Sequence, residues 1–304
     1  MGRGKRFRVQ GPYDLALSLG MSQRYARFSE GDQEFFRTAV RLDGEPAVMD
    51  VLQVEEDPPV LEVARATGAP SDSLKGKAGW MLFGELSLAP FYRHVEGHPV
   101  MDAAVGRLHG LKPSRPPSLF EMAVTAVTEQ QISMAAAYQI RTRLVEAFGD
   151  GVDAATIGEE GSSTYAFPEP DDLASVSVEA LRGCGLSGRK AEYILGLAQA
   201  VVKGEVDLEG LKDLSDEEVR ATVTGLRGFG PWSADYMLVR GLGRVDCVPA
   251  TDLGVRTVVG GFLGDGSRMD AEAVRAALAP FEPYRGLAAF YLLRYAGLDD
   301  QELG

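Results

Sequence analysis

The sequence predicts an α+β protein: a small antiparallel-sheet domain over residues 1–112, then an all-helical body of two subdomains over residues 113–304. Three observations lead there. Between Phe35 and Val63 the apolar residues fall in short runs separated by turn residues, the pattern of strands. Lys112-Pro-Ser-Arg-Pro-Pro117 then interrupts the chain with prolines that cannot continue a helix. Beyond it, apolar residues recur at helical spacing behind repeated capping signals. At 304 residues, the chain also exceeds what one core usually holds.

In order, a basic tip ending at Arg8 leads through Gly11-Pro12-Tyr13-Asp14 into a short helix from Leu15 to Leu19, and Gly31-Asp32 ends the next piece. The runs Phe35–Leu42, Ala47–Val54 and Val60–Val63, turning at Asp43-Gly44 and Pro58-Pro59, suit an antiparallel meander. Pro90–Met101 bridges to the body and carries His94 and His98 four apart, a spacing that binds metal on a helix. Gly97 and Pro99 weaken that helix and no third ligand stands near, so a solvated pair is expected. Ser118-Leu-Phe-Glu121 reads as a capping box opening a helix that runs to Phe148, broken at Glu129-Gln130-Gln131 and closed by Gly149. Residues 150–164 read as a loop. Helices follow at Asp171–Val176, Val178–Arg182 and Arg189–Val202, and Ser215-Asp-Glu-Glu218 is a second capping box. The last helices are Leu253–Val259, Asp270–Leu278 and Tyr284–Tyr295.

Leu226-Arg227-Gly228-Phe229-Gly230-Pro231 is the stretch around which the body is organised. Two glycines around one apolar residue, with a proline behind them, suit a tight turn feeding a helix with Pro at its first position. Free amides at that helix start, unobstructed at Gly228 and Gly230, form a site for an anion such as a phosphate. Some twenty residues on, Asp252 stands before Leu253, Val255, Val258 and Val259, placed to cap another helix.

This arrangement, with Trp232 and Tyr236 behind the hairpin and then Asp252, resembles the helix-hairpin-helix DNA glycosylases whose signature ends in Gly/Pro and Asp. Ser118–Gly149, Tyr165–Pro170, Leu181–Ser187 and the end of the chain resemble the AlkA type, the 3-methyladenine DNA glycosylase II family, over roughly residues 113 to 298. The resemblance implies that the sheet domain is similar to half of a TATA-binding protein and has no chemistry of its own. It implies Asp252 as the catalytic carboxylate and Trp232, Tyr236 and Phe120 as walls of the base pocket. Gln130-Gln131-Ile132-Ser133 would lie against the lesion, with Gln130 and Gln131 as the wedge; Gln131 is polar where several members carry Leu. Gly228, Gly230 and Ser233 would hold a DNA phosphate. The backbone carbonyls of Thr224, Leu226 and Phe229 would hold a structural Na+ or K+, with no other cofactor required. Leu293 matches a position that is aromatic in some members, with Tyr291 close by.

The residue types support that chemistry. Breaking an N-glycosidic bond builds positive charge on the deoxyribose, which a nearby buried carboxylate stabilises. Asp252 is the candidate. Asp235, in mid-helix, and Asp246, in the loop before Cys247, are its rivals. Alkylated purines such as 3-methyladenine and 7-methylguanine are cationic before cleavage, so they leave as neutral bases without a strong general acid. Aromatic faces at Trp232 and Tyr236 would select them by cation–π attraction. The family's strand-cutting members attack through a lysine where Trp232 stands, and no lysine follows Lys212. A monofunctional hydrolase of base excision repair follows. A non-catalytic DNA-binding protein, or a glycosylase for deaminated or oxidised bases, remains open at this stage.

The net charge of −13 opposes a simple nucleic-acid reading. Residues 113–304 carry 17 Lys/Arg against 29 Asp/Glu. A compact interface built on backbone amides and a few arginines would bind weakly and lose affinity steeply with salt. Cys184 and Cys247 are too few for a disulfide framework or a four-cysteine iron–sulfur cluster. No apolar run reaches the roughly 18 residues of a membrane span, and the basic start lacks the apolar stretch of a signal. The expectation is a monomer in the cytoplasm, associated with the nucleoid, whose partner is damaged double-stranded DNA.

Overall fold

The structure, a computed structural model, describes residues 4–20, 24–31, 33–65, 72–152 and 164–302. Asp32 and residues 153–163 of the expected 150–164 loop lie outside the described residues. Five strands make the N-terminal sheet: β1 (Lys5–Arg8), β2 (Ala26–Glu30), β3 (Gln33–Leu42), β4 (Glu45–Glu56) and β5 (Pro59–Arg65), in the antiparallel order β1-β5-β4-β3-β2. The expected meander is β3–β5. Its β3–β4 turn has Asp43 at φ 54° and Gly44 at φ 86°, the left-handed pair that matches the twist of a two-residue hairpin. The sequence reading missed β1 and β2. Both are edge strands, short and charged, so they lack the apolar run that marks a central strand.

The centre of the sheet is buried on both faces, which is why β3 and β4 read as near-continuous apolar runs. On one face Phe36, Val40, Met49, Val51, Leu61 and Val63 pack on α1 (Leu15–Gly20) and α2 (Asp72–Met81). Arg37 and Asp50 pair across β3 and β4 through two hydrogen bonds of 2.6 and 2.9 Å, both residues buried. Asp50→Ala removes the buried carboxylate from Arg37 and should cost about 3 kcal/mol in chemical denaturation, more than a surface ion pair. Arg41 ties the sheet to the body by donating to Asp172 at 2.8 Å.

Next come α3 (Ala89–Val95) and α4 (Pro99–Arg107), and the packing places them outside the sheet domain. Leu88, Phe91, Val95, Met101, Leu108 and Leu111 share a core with α12 (Leu253–Leu263), α13 (Ala271–Leu278) and α14 (Arg285–Glu302). The sheet's own core ends near Leu82, so the stretch from Leu88 to Leu111, grouped with the sheet by the boundary expected at 112, packs with the last helices. Lys112 itself is fully buried, its Nζ donating to the carbonyls of Gln10 (2.7 Å) and Phe83 (3.1 Å), and burial pushes its ammonium down to about 8. His94 and His98 are likewise structural. His94 is exposed, as expected, and lies edge-on to Tyr284, whereas His98 is half-buried, accepts the Met101 N–H at the start of α4 and packs on Phe281.

The other helical core gathers α5 (Leu119–Glu129), α6 (Met134–Phe148), α7 (Pro170–Ala174), α8 (Val178–Gly183), α9 (Gly188–Val202), α10 (Asp216–Gly225) and α11 (Pro231–Tyr236). Two short antiparallel strands, β6 (Asp150–Val152) and β7 (Thr164–Ala166), stand at the two ends of the stretch read as loop. Ser118 caps α5 as expected, but the Glu121 carboxylate turns away from the cap to pair with Arg24, so the capping box there is only half formed. The box at Ser215 and Glu218 is complete. Ser215→Ala should lower stability by about 1 kcal/mol, read as a lower denaturation midpoint at unchanged slope. Among the described residues no helix is long and apolar enough to cross a membrane.

Candidate active site

The hairpin forms where α10 runs out. Leu226 leaves the helix in extended conformation and its carbonyl accepts the Phe229 N–H at 3.1 Å, closing a turn over Arg227 and Gly228. Gly228 has φ +93°, and a Cβ there would come within 2.2 Å of the Tyr193 ring. Gly230 differs: it is extended at the N-cap of α11, with nothing within 4 Å of an added Cβ. Pro231 takes the first helical position, and α11 continues into a π-helical segment, Met237–Leu242.

Past that helix the chain returns through Asp252, whose Oδ1 accepts the Val255 N–H at 3.1 Å and caps α12. Its other oxygen, Oδ2, accepts the Trp232 Nε1–H at 2.9 Å. The Trp232 ring stacks on Tyr236 with centroids 4.8 Å apart and planes at 17°. The expected carboxylate and both expected aromatics are thus assembled into one unit. α11 belongs to one helical core and α12 to the other, so the unit sits on their seam. Asp252 is half-buried, less enclosed than expected, its two oxygens oriented by separate donors.

The rival carboxylates have other work. Asp235 is buried and accepts from Arg220 at 2.9 Å, and Asp246 receives both the backbone N–H and the guanidinium of Arg285. Tyr291 belongs to the core, fully buried, its hydroxyl donating to the Leu111 carbonyl. Leu293 does lie beside the site, its Cδ2 being 3.6 Å from where a Gly254 Cβ would stand.

Several expected placements are corrected. Phe120 does not join the aromatic pair. It is buried near the start of α5 and lines a cavity of about 820 Å³ between sheet and body, with Val40, Trp80 and Phe167. Ser233 is 1% exposed, its hydroxyl turned inward to accept from the Gln130 side chain at 3.2 Å. Gln130 is committed inward, donating also to the Gly228 carbonyl at 2.9 Å, and braces the hairpin. Gln131 alone of the two glutamines is presented outward, at φ +55°. Beside it Ile132 and Met134 are 37% and 57% exposed, apolar side chains left in solvent on the same turn. Of the three carbonyls expected to hold a cation, that of Leu226 also closes the turn, with a second lone pair remaining.

Sequence reasoning missed Glu129 and its partners. The Tyr236 hydroxyl donates to Glu129 Oε2 at 2.5 Å and Arg141 pairs with Oε1. Burial, followed in smaller part by Glu129, holds the Tyr236 phenol well above the ordinary tyrosine range, so it remains a neutral donor. Arg240 acts on the same phenol and opposes that shift, and burial together with Arg240 lowers Arg294 to about 10. The only signal in the sequence was an acidic residue ending an apolar helix.

A capped helix, a glycine hairpin, a second helix and a carboxylate returned to the second helix's tryptophan define the helix-hairpin-helix class of proteins. The family model described as HhH-GPD superfamily base excision DNA repair protein matches residues 124–283, and the chain belongs to that family. A Bacillus subtilis DNA-3-methyladenine glycosylase is 28% identical over 207 residues, 68% of this chain and 67% of its own length. The solved 3-methyladenine DNA-glycosylase from Archaeoglobus fulgidus superposes with a TM-score of 0.83 at 27% identity, covering 97% of this chain and 98% of its own. A Schizosaccharomyces pombe 3-methyladenine DNA glycosylase, solved in complex with abasic DNA, gives 0.58 at 25% identity over 68% of this chain and 96% of its own.

Proposed function

We propose that the protein is a monofunctional DNA glycosylase of base excision repair. It extrudes alkylated purines, 3-methyladenine and 7-methylguanine, from duplex DNA and hydrolyses their N-glycosidic bond. The observation that carries this is the indole N–H of Trp232 on Asp252 Oδ2 while the same ring is stacked on Tyr236. A cationic base settling against the aromatic pair meets electron-rich faces. As its bond to C1′ lengthens, positive charge moves onto the sugar, and the preoriented Asp252 carboxylate stabilises it without reorganising. The base departs neutral, so no acid need be supplied. A water then completes the hydrolysis.

The hairpin supplies the grip. Within the described residues the N–H groups of Gly228 and Gly230 have no protein acceptor, and they stand at the positive end of α11, which suits a DNA phosphate. The carbonyls of Thr224, Leu226 and Phe229 are hard oxygen donors of the kind Na+ or K+ takes, and such an ion would add positive charge to the hairpin. Gln131, with Ile132 beside it, fills the space left by the extruded base, a polar tip on an apolar support. Lys190, the lysine near this turn, donates to the carbonyls of Thr128 and Gln130 and is committed there. With Trp232 where strand-cutting relatives place lysine, water is the nucleophile.

The test is release of free base from methylated duplex DNA, with strand breakage followed in parallel. Release of 3-methyladenine or 7-methylguanine without breakage is expected. Binding of damaged duplex with no release from any substrate would leave only a DNA-binding module. Release of hypoxanthine or oxidised purines in place of methylated ones would reassign the pocket.

A further inference from the structure

Glu129 is an acidic residue, 9% exposed, at the end of a largely apolar helix, and the chemistry above makes no use of it. A carboxylate so enclosed is held only where donors neutralise it, and Glu129 has two, the Arg141 guanidinium on Oε1 and the Tyr236 hydroxyl on Oε2. Arg141 is the counter-ion. The bond to Tyr236 is different in kind, because Tyr236 is the ring on which Trp232 rests and Trp232 is the donor to Asp252. Four side chains from α5, α11 and the start of α12 thus form one line: carboxylate, phenol, indole, carboxylate.

We propose that Glu129 is a positioning residue for the glycosidic cleavage: by accepting the Tyr236 hydroxyl it fixes the plane of that ring, hence the stacked indole and its N–H on Asp252 Oδ2. This rests on the glycosylase reading given above. A phenol ring turns about two side-chain torsions, and an offset stack resists rotation only weakly. A charge-assisted hydrogen bond at the far end of the ring supplies the missing restraint. The other end of the line is also held, since Asp252 Oδ1 is engaged by the Val255 N–H and only the indole sets Oδ2. The surrounding backbone is braced to suit: Gln130, the next residue, grips Gly228 and Ser233, while Lys190 clamps the carbonyls of Thr128 and Gln130. The turn that carries Gln131 and Ile132 follows directly, so the segment facing the DNA and the restraint on the aromatic pair belong to one rigid helix end.

Three variants test this: Tyr236→Phe, Glu129→Ala and Glu129→Gln. The readouts are the single-turnover rate of 7-methylguanine release and affinity for an abasic duplex. Tyr236→Phe keeps the stacking face and removes only the hydroxyl, and should slow release roughly tenfold with affinity unchanged, as expected for lost orientation. Glu129→Ala should match it, Glu129→Gln should recover most of the rate, and the double variant Glu129→Ala/Tyr236→Phe should be no slower than either single one. A residue that merely supported the fold would lower thermal stability and affinity together, and its effect would add to that of Tyr236→Phe. Wild-type rate in Tyr236→Phe, or additivity in the double variant, overturns the proposal.

A second readout separates this from failure of the glycosylase reading. The chain has two tryptophans, so in a Trp80→Phe background the emission is that of Trp232 alone. Glu129→Ala should change that emission in the free protein whether or not wild type releases any base. Unchanged emission counts against the positioning role, whereas absent release by wild type counts against the enzyme reading only.

Discussion

Asp252→Asn is expected to slow base release by about 10²- to 10³-fold while leaving affinity for an abasic duplex within about twofold of wild type. The replacement isolates charge from shape. Asn caps a helix about as well as Asp, so the bond from the Val255 N–H to the side-chain oxygen survives and α12 keeps its start. What is lost is the negative charge that the proposed mechanism sets against the sugar. The bond from Trp232 Nε1 is lost as well, since the amide nitrogen would present a donor to a donor. Single-turnover release and abasic-duplex binding, measured on the same preparation, check this. If release persists near the wild-type rate, the carboxylate is a cap alone and another group stabilises the sugar. If binding falls along with release, the variant has disturbed the seam between the two helical cores.

Gly228→Val should abolish DNA binding and destabilise the protein by about 3 kcal/mol, whereas Gly230→Ala should leave stability within about 0.5 kcal/mol. Gly228 has φ +93°, a conformation that a β-branched residue scarcely adopts, and its added Cβ would lie 2.2 Å from the Tyr193 ring. The clash falls on Cγ and Cδ2, at the root and not the far end of that ring. The ring therefore does not yield, and the turn must move. Its carbonyl would move with it, releasing the Gln130 amide that braces the hairpin. Gly230 has open space and an ordinary extended backbone, so the only thing the change there would meet is the phosphate proposed to bind at the hairpin. Loss of DNA affinity in Gly230→Ala with a native melting curve would place the phosphate against that position. Equal destabilisation by both variants would mean that the turn tolerates neither and the distinction is wrong.

Much of the fold was legible because it depends on local patterns. The tight turn joining β3 to β4, the cap at Ser215, Pro231 at the first position of α11 and Asp252 at the start of α12 each rest on residues within four positions of one another. The edge strands were missed since a charged edge carries no apolar period, and the placement of α3 and α4 was missed since prolines mark where helices stop, not which core they join.

At the site, the sequence alone determined the chemical identities: a carboxylate at 252, an indole at 232, a phenol at 236, two glycines before a proline, and no lysine after 212. Those identities define the reaction that the site can support. Only the tertiary structure decided which of them meet. Trp232 and Asp252 stand on helices that pack into different cores, and their 2.9 Å contact forms where those two helices meet. Packing of α5 against α11 within one core turned Gln130 and Ser233 inward, while Phe120 lines the cavity between sheet and body. The same packing brought Glu129, 107 positions away in the chain, onto the Tyr236 hydroxyl. No periodicity encodes such pairs, because a buried polar group is satisfied by whatever donor the packing brings within reach, at any separation along the chain.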